Sequence, residues 1–410
     1  MKQHVGDDAQ NKFIGAEELL RQALTKHGDD CTWYCKSFNP YPMVLTQTEL
    51  EHQARLQRCL LSATELIVES YLTDVRLRSF LSLPDAAITI LESLRNHPYK
   101  IGSYRPDFLH DTMGGIKVCE INARFPTNGY IISHYINNVI GELHPGLQRI
   151  SKLDEIPEIF LSRFVPGSNV RILKERERGW DVVFLMHELK QRGYSCECMS
   201  AAEFKTMIDA SGLVIELHQD ELLREDPKWI SQLCLERPHF NDLRTILLAH
   251  DKRMLGVFHN DEIMADYMTV DERKFLKENV VETHLVRDIQ RAGNEAMNNK
   301  HDWVLKPNLL GKGEGMIFGH NTPENEWRNA LRDSLHHDYV LQRYIKQKQF
   351  PILTRVGNDV SVQELNVVGT LLCFDDQFIG PGIYRASKGD IVNVSGGGTI
   401  LFPMMERANA

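Results

Sequence analysis

The chain has 410 residues, of which 42% are hydrophobic and 25% are charged. That length exceeds one ordinary domain and predicts a globular protein with a sizeable core, in two or three domains or one large composite enzyme. The net charge of −9 and the lack of a long basic stripe argue against general nucleic-acid binding.

The eight cysteines are scattered and form no CxxC pair, which favours free thiols in a reducing compartment. Residues 1–30 contain no apolar leader, and no apolar run is long enough to span a bilayer. A cytoplasmic protein without membrane contact is therefore expected.

Helical signals dominate residues 1–95. Thr48, with Glu51 three residues later, predicts a capping box that opens a helix running to about Tyr71. A further helix is predicted over about 86–96. We expect these helices to pack on a sheet formed by later residues.

A candidate β-hairpin in residues 101–130 carries alternating polar side chains. Arg105 and Asp107 share one face of its first strand, and Glu120 and Asn122 share one face of its second strand. A Gly-Gly pair between the strands predicts a tight turn. Asp, Glu and Asn oxygens suit Mg²⁺, while arginine suits an anionic substrate or a developing negative charge. The alternative is a surface hairpin with ordinary ion pairs.

Strand and helix patterns alternate from about Asn169 to residue 218, which predicts a small parallel sheet. No GxGxxG motif is present, so a dinucleotide-binding function is disfavoured. His187 is expected to be structural on a helix face.

Residues 302–319 form the second informative stretch. An apolar strand ends at Lys306 and Pro307, and a glycine-rich loop leads to a returning strand. Such a loop can bring backbone N–H groups close to a polyphosphate. It matches neither a Walker A motif nor a kinase glycine loop. The alternative is a plain β-hairpin with a mobile tip.

Further along, the apolar strand 339–345 contains Gln342 and can present backbone groups to a flat base, although an ordinary core strand is the alternative. Residues 361–374 alternate and predict a second hairpin that turns at Gly369 and Thr370. Arg385 precedes a glycine-rich loop whose backbone can approach a ligand.

In this order the motifs resemble a circularly permuted ATP-grasp ligase, most of all the synthetase domain of glutathionylspermidine synthase. The family pattern RPDF, then ExN, then a proline is matched by Arg105 to Phe108, by Glu120 to Asn122, and by Pro126. The hairpin precedes the nucleotide-binding segments here, as it does in that family. No recognisable glutathione-binding pattern occurs in residues 1–95, so the substrates of that family are not implied.

The resemblance implies ATP and Mg²⁺, with two ions expected, as cofactors. The implied metal ligands are Asp107, Glu120 and Asn122. The implied ATP contacts are Lys252, Lys306, Gly311, Lys312, Gly313, Gly315, Gln342, Tyr344, Ile345 and Arg385. Arg105 would stabilise the reacting carboxylate or acyl phosphate, and Arg124 would hold a substrate carboxylate, with a surface ion pair as the alternative for Arg124.

The implied fold is α/β (α+β): a circularly permuted ATP-grasp fold with a pre-ATP-grasp α/β subdomain. The expected divisions are a helical region that could set specificity (1–95), the metal and acyl-phosphate part (96–165), the subdomain (166–240) and the ATP-binding lobes (241–410).

The expected activity is carboxylate–amine ligation, in which an acyl phosphate is converted to an amide and ADP and phosphate are released. The expected substrates are an amino acid, peptide or other small carboxylic acid and an amine, and a homodimer is one expected assembly. The alternatives are a phosphotransferase with a non-carboxylate acceptor and a non-catalytic nucleotide-binding protein.

Overall fold

A computed structural model describes residues 1–6, 8–27, 35–177, 179–207, 211–286, 295–336, 338–394 and 396–407. Its strands, in chain order, are β1 (Lys2–Gln3), β2 (Met43–Leu45), β3 (Ser103–His110), β4 (Ile116–Asn122), β5 (Asn169–Lys174), β6 (Ser195–Met199), β7 (Gly212–Glu216), β8 (Thr283–Leu285), β9 (Trp303–Pro307), β10 (Ile317–Phe318), β11 (Tyr339–Arg343), β12 (Gln349–Val356), β13 (Asp359–Phe374), β14 (Gln377–Pro381), β15 (Tyr384–Ser387), β16 (Thr399–Leu401) and β17 (Pro403–Met405).

The α-helices cover Ala9–Thr25, Gln47–Ser70, Val75–Phe80, Asp85–Leu94, Tyr130–Leu143, Ile156–Leu161, Trp180–Gln191, Ala201–Lys205, Gln219–Leu222, Pro227–Glu236, Arg253–His259, Asp261–Met264, Val270–Asn279 and Glu324–Asp333. None of these helices combines the length and the apolar character needed to cross a bilayer.

The central sheet has the order β16-β15-β13-β3-β4, and β12 and β14 also pair with β13. The predicted hairpin is confirmed as β3 and β4, with Arg105 opposite Asn122 and Asp107 opposite Glu120. The turn between the strands holds glycines with φ of 101° and 81°, a conformation that glycine adopts readily. The pairing therefore sets four polar side chains side by side on the sheet.

The described residues also form three smaller sheets. Strands β10-β9-β11-β8 form an antiparallel sheet that carries the glycine-rich loop between β9 and β10. Strands β6-β5-β7 are parallel, which confirms the parallel sheet predicted for residues 169–218. Strands β1-β2-β17 bring the two ends of the described chain together.

One predicted turn is wrong. Gly369 and Thr370 lie inside β13, a single extended strand, and pair with Phe108 and Asp107 of β3. A Cβ atom at residue 369 would approach the ring of Phe108 to 2.2 Å, so glycine here makes room for an aromatic side chain. The glycine allows close packing and does not mark a bend.

The predicted capping box is also displaced by two residues. The Thr46 side chain accepts a hydrogen bond from the backbone N–H of Glu49, and Glu49 accepts one from the backbone of Thr46. The segment contains two Thr-x-x-Glu patterns, and the earlier one caps the helix Gln47–Ser70. Buried leucines of this helix join the main hydrophobic core.

Candidate active site

Asp107 is the most buried acidic residue of the hairpin, with 1% of its surface exposed. Its Oδ1 accepts a hydrogen bond from Arg105 Nε at 2.9 Å, and its Oδ2 accepts one from Arg105 Nη2 at 3.2 Å. Oδ2 also accepts a hydrogen bond from Arg385 Nη2. Both oxygens of this expected metal ligand are thus engaged by guanidinium groups.

Glu120 lies opposite Asp107 and has different surroundings. Burial disfavours its ionisation, but Lys252, Lys306 and Arg385 together outweigh that effect and lower the pKa of Glu120 to about 2. The Asn122 side-chain amide donates a hydrogen bond to Glu120 Oε1 at 3.2 Å. Glu120 is therefore a charged carboxylate with cations around it at longer range.

The donor set around Glu120 fits a Mg²⁺ ion. Among the described residues, no group of three or more His, Cys, Asp and Glu side chains is arranged to hold a metal by itself. Mg²⁺ sites in nucleotide enzymes use one or two carboxylates together with phosphate oxygens. Glu120 and the side-chain oxygen of Asn122 are the residues that would hold the ion in this way.

Two lysines act on the charge of Glu120. Lys252 Nζ donates hydrogen bonds to the carbonyl oxygens of Asn308 at 3.0 Å and Leu310 at 2.6 Å. Burial lowers the pKa of Lys252, and Glu120 opposes that shift. Lys306 is buried at the end of β9 and lines the same cavity as Glu120. The sequence predicted both as ATP contacts, and the fold brings them together.

The glycine-rich loop contains left-handed backbone conformations, which most residues other than glycine disfavour. Lys312, Gly313 and Gly315 have φ of 60°, 81° and 70°. Lys312 Nζ lies 3.7 Å from Glu177 Oε1, and the Lys312 carbonyl accepts a hydrogen bond from Asn393 at 2.8 Å. The loop thus contacts both the parallel-sheet unit and the segment after β15. Gly311, a further predicted contact, has open space around it.

A cavity of about 110 Å³ lies between the loop sheet and the central sheet. Its charged or polar lining includes Asp107, Glu120, Lys306, Lys312, Gln342, Arg385 and Asn393. Its apolar and aromatic lining includes Leu109, Val304, Met316, Phe318, Tyr344, Ile345 and Val368. Most of the residues predicted to contact phosphate, metal or base therefore line one cavity.

Gln342, an implied ATP contact, lines the cavity, and its side chain is hydrogen-bonded within the fold. Its amide donates hydrogen bonds to the Cys119 carbonyl at 3.3 Å and to Thr283 Oγ1 at 3.0 Å. The side chain therefore ties β11 to β4 and β8. Tyr344 and Ile345, just after β11, line the cavity and remain candidates for base contacts.

Arg124 is 8% exposed and is not a surface residue. Its Nη1 donates a hydrogen bond to the Leu309 carbonyl at 3.3 Å, and its guanidinium carbon lies 4.5 Å from the Phe125 ring centroid. No carboxylate of the described residues lies within ion-pair distance of it, so the surface ion pair is not what the fold forms. Its role as a substrate contact remains a prediction.

Sequence reasoning missed three residues of the site. Asn128 Oδ1 accepts a hydrogen bond from Arg105 Nη1 at 2.6 Å, and Asp390 Oδ1 accepts one from the Tyr344 hydroxyl at 2.8 Å. Glu177 approaches Lys312 as described above. Only Asn128 carried a usable signal, since it lies six residues after Asn122 in the same motif region.

The fold is similar to a solved one. A glutathione synthetase-like effector from Globodera pallida matches with a TM-score of 0.54 at 12% identity, and the match covers 89% of each chain. At this identity the likeness shows the fold alone: a mixed α/β fold of the glutathione synthetase-like ATP-grasp kind.

Sequence similarity points to the same class. Residues 56–248 match the family described as the AnkG N-terminal domain. A protein named ATP-grasp enzyme ankG, from Aspergillus thermomutatus, is 23% identical over 445 residues, which span 93% of this chain and 89% of the relative. The prediction of an ATP-grasp enzyme is confirmed at the level of this class.

Proposed function

We propose that the chain is an ATP- and Mg²⁺-dependent carboxylate–amine ligase that forms an amide through an acyl phosphate and releases ADP and phosphate. Its substrates would be a small carboxylic acid, such as an amino acid or short peptide, and an amine. The class named by the ankG relative supports ATP use, and the chemistry around the cavity supports the rest of the proposal.

The observation that carries the proposal is the local excess of positive charge. The chain has a net charge of −9, yet Arg105, Lys252, Lys306 and Arg385 surround Glu120 and Asp107. A triphosphate and a substrate carboxylate would bring several negative charges to one point. A local basic site within an acidic protein is suited to such ligands.

These residues have separate tasks in the proposed reaction. Lys252 and Lys306 would neutralise phosphate charge while a carboxylate oxygen attacks the γ-phosphorus and ADP leaves. Mg²⁺ held by Glu120 and Asn122 would supply further charge neutralisation when bound. Arg105 would then stabilise the acyl phosphate.

In the second step the amine nitrogen would form a bond to the carbonyl carbon. The C–O bond to phosphate breaks, and phosphate leaves with its electron pair and can take up the proton of the amine. Arg124, buried above Phe125, would hold a substrate carboxylate near this point.

The apolar end of the cavity would take the adenine. Phe318, Tyr344 and Ile345 supply flat or apolar surface there. A cavity of about 110 Å³ is smaller than typical small-molecule sites of about 300–1,000 Å³. We therefore propose that the glycine-rich loop moves to admit ATP and then excludes water from the acyl phosphate.

The permuted arrangement is also a proposal. The hairpin β3–β4, with the candidate metal ligands, precedes the nucleotide-side strands β9 to β11 in the chain. This order supports the resemblance to the permuted synthetase domain of glutathionylspermidine synthase. The substrates of that enzyme are not part of the proposal.

The proposal is tested by ADP release on mixing the protein with ATP, Mg²⁺, and pools of amino acids, peptides and polyamines. We expect ADP and phosphate only when an acid and an amine are both present, and an amide product by mass spectrometry. AMP and pyrophosphate would contradict the proposal. A stable phosphorylated product without an amide would favour a phosphotransferase instead.

A further inference from the structure

We infer that Asp107 is a positioning residue that holds Arg105 and Arg385 side by side as a two-guanidinium cradle for a phosphoryl group, and that it is not a metal ligand. The identification of that group as part of the acyl phosphate rests on the proposed function. The cradle itself rests on three hydrogen bonds and on the placement of the three residues.

The three residues reach one another across the central sheet. Asp107 on β3 lies opposite Thr370 of β13, while Arg385 on β15 lies opposite Val368 of β13. Arg385 therefore extends across β13 to reach Asp107 Oδ2. Arg105 approaches the same carboxylate along β3, two residues before it, and engages both oxygens. The carboxylate thus joins two arginines that are 280 residues apart in the chain.

The shared carboxylate leaves the group with one net positive charge. Arg385 and Asp107 both line the cavity, beside Glu120 and Lys306. Arg385 Nε is buried and has no hydrogen-bond partner among the described residues. A buried guanidinium N–H without a partner is costly, and an oxyanion would satisfy it. The geometry therefore favours an anion at the open side of Arg385.

One other described aspartate, Asp220, is shared by two arginines, Arg176 and Arg224, but at exposed positions. The buried arginine–aspartate pairs are the closer comparison. Asp242 is bonded by Arg244, and Asp251 by Arg253, with the same spacing of two residues and similar burial. Neither of these aspartates is shared with a second arginine of the cavity, and neither lines it. Buried pairs of this spacing therefore recur in the fold. Of these three pairs, only the one at Asp107 lines the cavity and is joined by a second arginine, Arg385.

The two facing carboxylates consequently have different roles. Glu120 accepts a hydrogen bond from Asn122, and no ammonium or guanidinium group of the described residues lies within ion-pair distance of it. Its remaining lone pairs are available to a metal. Those of Asp107 are largely taken up by three N–H donors. A metal ligand and an arginine-positioning residue can thus lie opposite each other on one hairpin.

The test separates metal binding from anion binding in three variants: Asp107→Asn, Glu120→Gln and, as a matched control, Asp242→Asn. Inorganic phosphate affinity is measured by calorimetry on the metal-free protein. Mn²⁺ affinity is measured by electron paramagnetic resonance with a non-hydrolysable ATP analogue present. Neither readout requires turnover.

We expect Asp107→Asn to weaken phosphate binding by about tenfold or more, because the two arginines lose their charged anchor. Its Mn²⁺ affinity should stay within about threefold of the wild type. Glu120→Gln should show the reverse pattern. Asp242→Asn should leave both affinities unchanged even if it lowers the melting temperature.

Equal losses of Mn²⁺ affinity in Asp107→Asn and Glu120→Gln would overturn the inference, as would wild-type phosphate affinity in Asp107→Asn. If Asp107→Asn does not fold, Arg385→Gln supplies the same test. This variant removes one of the two guanidinium groups of the cradle, so it should weaken the binding of phosphate but not of Mn²⁺. A wild-type protein that binds no phosphate contradicts the cradle. One that binds phosphate but forms no amide contradicts only the proposed function.

Discussion

Two buried-site carboxylates of this molecule are held in opposite charge states, Glu120 by neighbouring cations and Glu216 by burial. Glu120 is held ionised by the cations around it. Glu216, at the end of β7, is 1% exposed, and burial raises its pKa to about 8 although Thr127 donates two hydrogen bonds to its Oε1. Asp181 and Glu177 add to that rise. Glu216 is therefore protonated in the folded protein at neutral pH.

A pH dependence of stability follows for Glu216. Its folded pKa, about 8, lies above the ordinary value of 4.5, so its stabilising contribution is complete below about pH 4.5 and is lost as the pH rises through 8. Glu216→Gln keeps an oxygen for Thr127 and removes the titration. The variant should gain about 2–4 kcal/mol in unfolding free energy relative to the wild type between pH 5 and pH 8.

Urea unfolding of both proteins at the two pH values, at one ionic strength, measures this change. Glu69→Gln on an exposed helix position controls for the loss of a carboxylate as such. A difference between Glu216→Gln and the wild type that is the same at pH 5 and pH 8 would show that Glu216 does not titrate as described.

At this scale the sequence predicted which residues cluster but not what each one contacts. Alternation along two strands was enough to put Arg105, Asp107, Glu120 and Asn122 together, because strand geometry is local. The bond from Arg385 to Asp107 joins distant parts of the chain. The internal hydrogen bonds of Gln342 depend likewise on β4 and β8. Such long-range partners leave no periodic signal in the sequence.

Among the elements, the glycine-rich loop combines backbone strain with close packing. Gly315 has φ of 70°, and a Cβ atom there would lie 2.8 Å from Cγ of Pro307, a ring that cannot rotate away. The loop follows directly from Lys306 at the end of β9. Displacing Gly315 would therefore shift the segment that carries the candidate phosphate contacts.

We expect Gly315→Ala to reduce kcat/KM for ATP by about tenfold or more, because left-handed backbone costs a non-glycine residue about 1–2 kcal/mol before the clash is added. Gly193→Ala is the matched control: its φ is 81°, nothing lies within 4 Å of its Cβ position, and it ends a distant helix. Steady-state kinetics on both variants, with melting curves, measure the effect. Equal values of kcat/KM for ATP in the two variants would show that the backbone conformation of the loop does not affect the use of ATP.

Elements with a strong local pattern were predictable, and elements defined by packing were not. The parallel strands β5 to β7 and the returning strand β10 follow from apolar runs bounded by turns. Gly369 has the same local signature as a turn, yet it lies in the middle of β13 because the Phe108 ring occupies the space above it. The sequence around residue 369 contains no information about Phe108, 261 residues earlier.

For the whole molecule, the central sheet and the loop sheet meet around the cavity, and the order of the chemical motifs along the chain predicted that meeting. The hairpin β3–β4 supplies Glu120, the loop sheet supplies Lys306, and β15 supplies Arg385. Under the proposed function, such an assembly would activate a carboxylate with ATP. The proposed acid and amine would be selected by surfaces for which the sequence offers no readable pattern.

The transfer of oxygen from the acid to phosphate tests the acyl-phosphate claim most directly. The acid found in the ADP-release screen is labelled with ¹⁸O in its carboxylate, and the released phosphate is analysed by mass spectrometry. We expect the label in inorganic phosphate, with ADP as the other product, because the attacking carboxylate oxygen leaves with the phosphoryl group. Amide formation with unlabelled phosphate, or with the label in AMP, would contradict it.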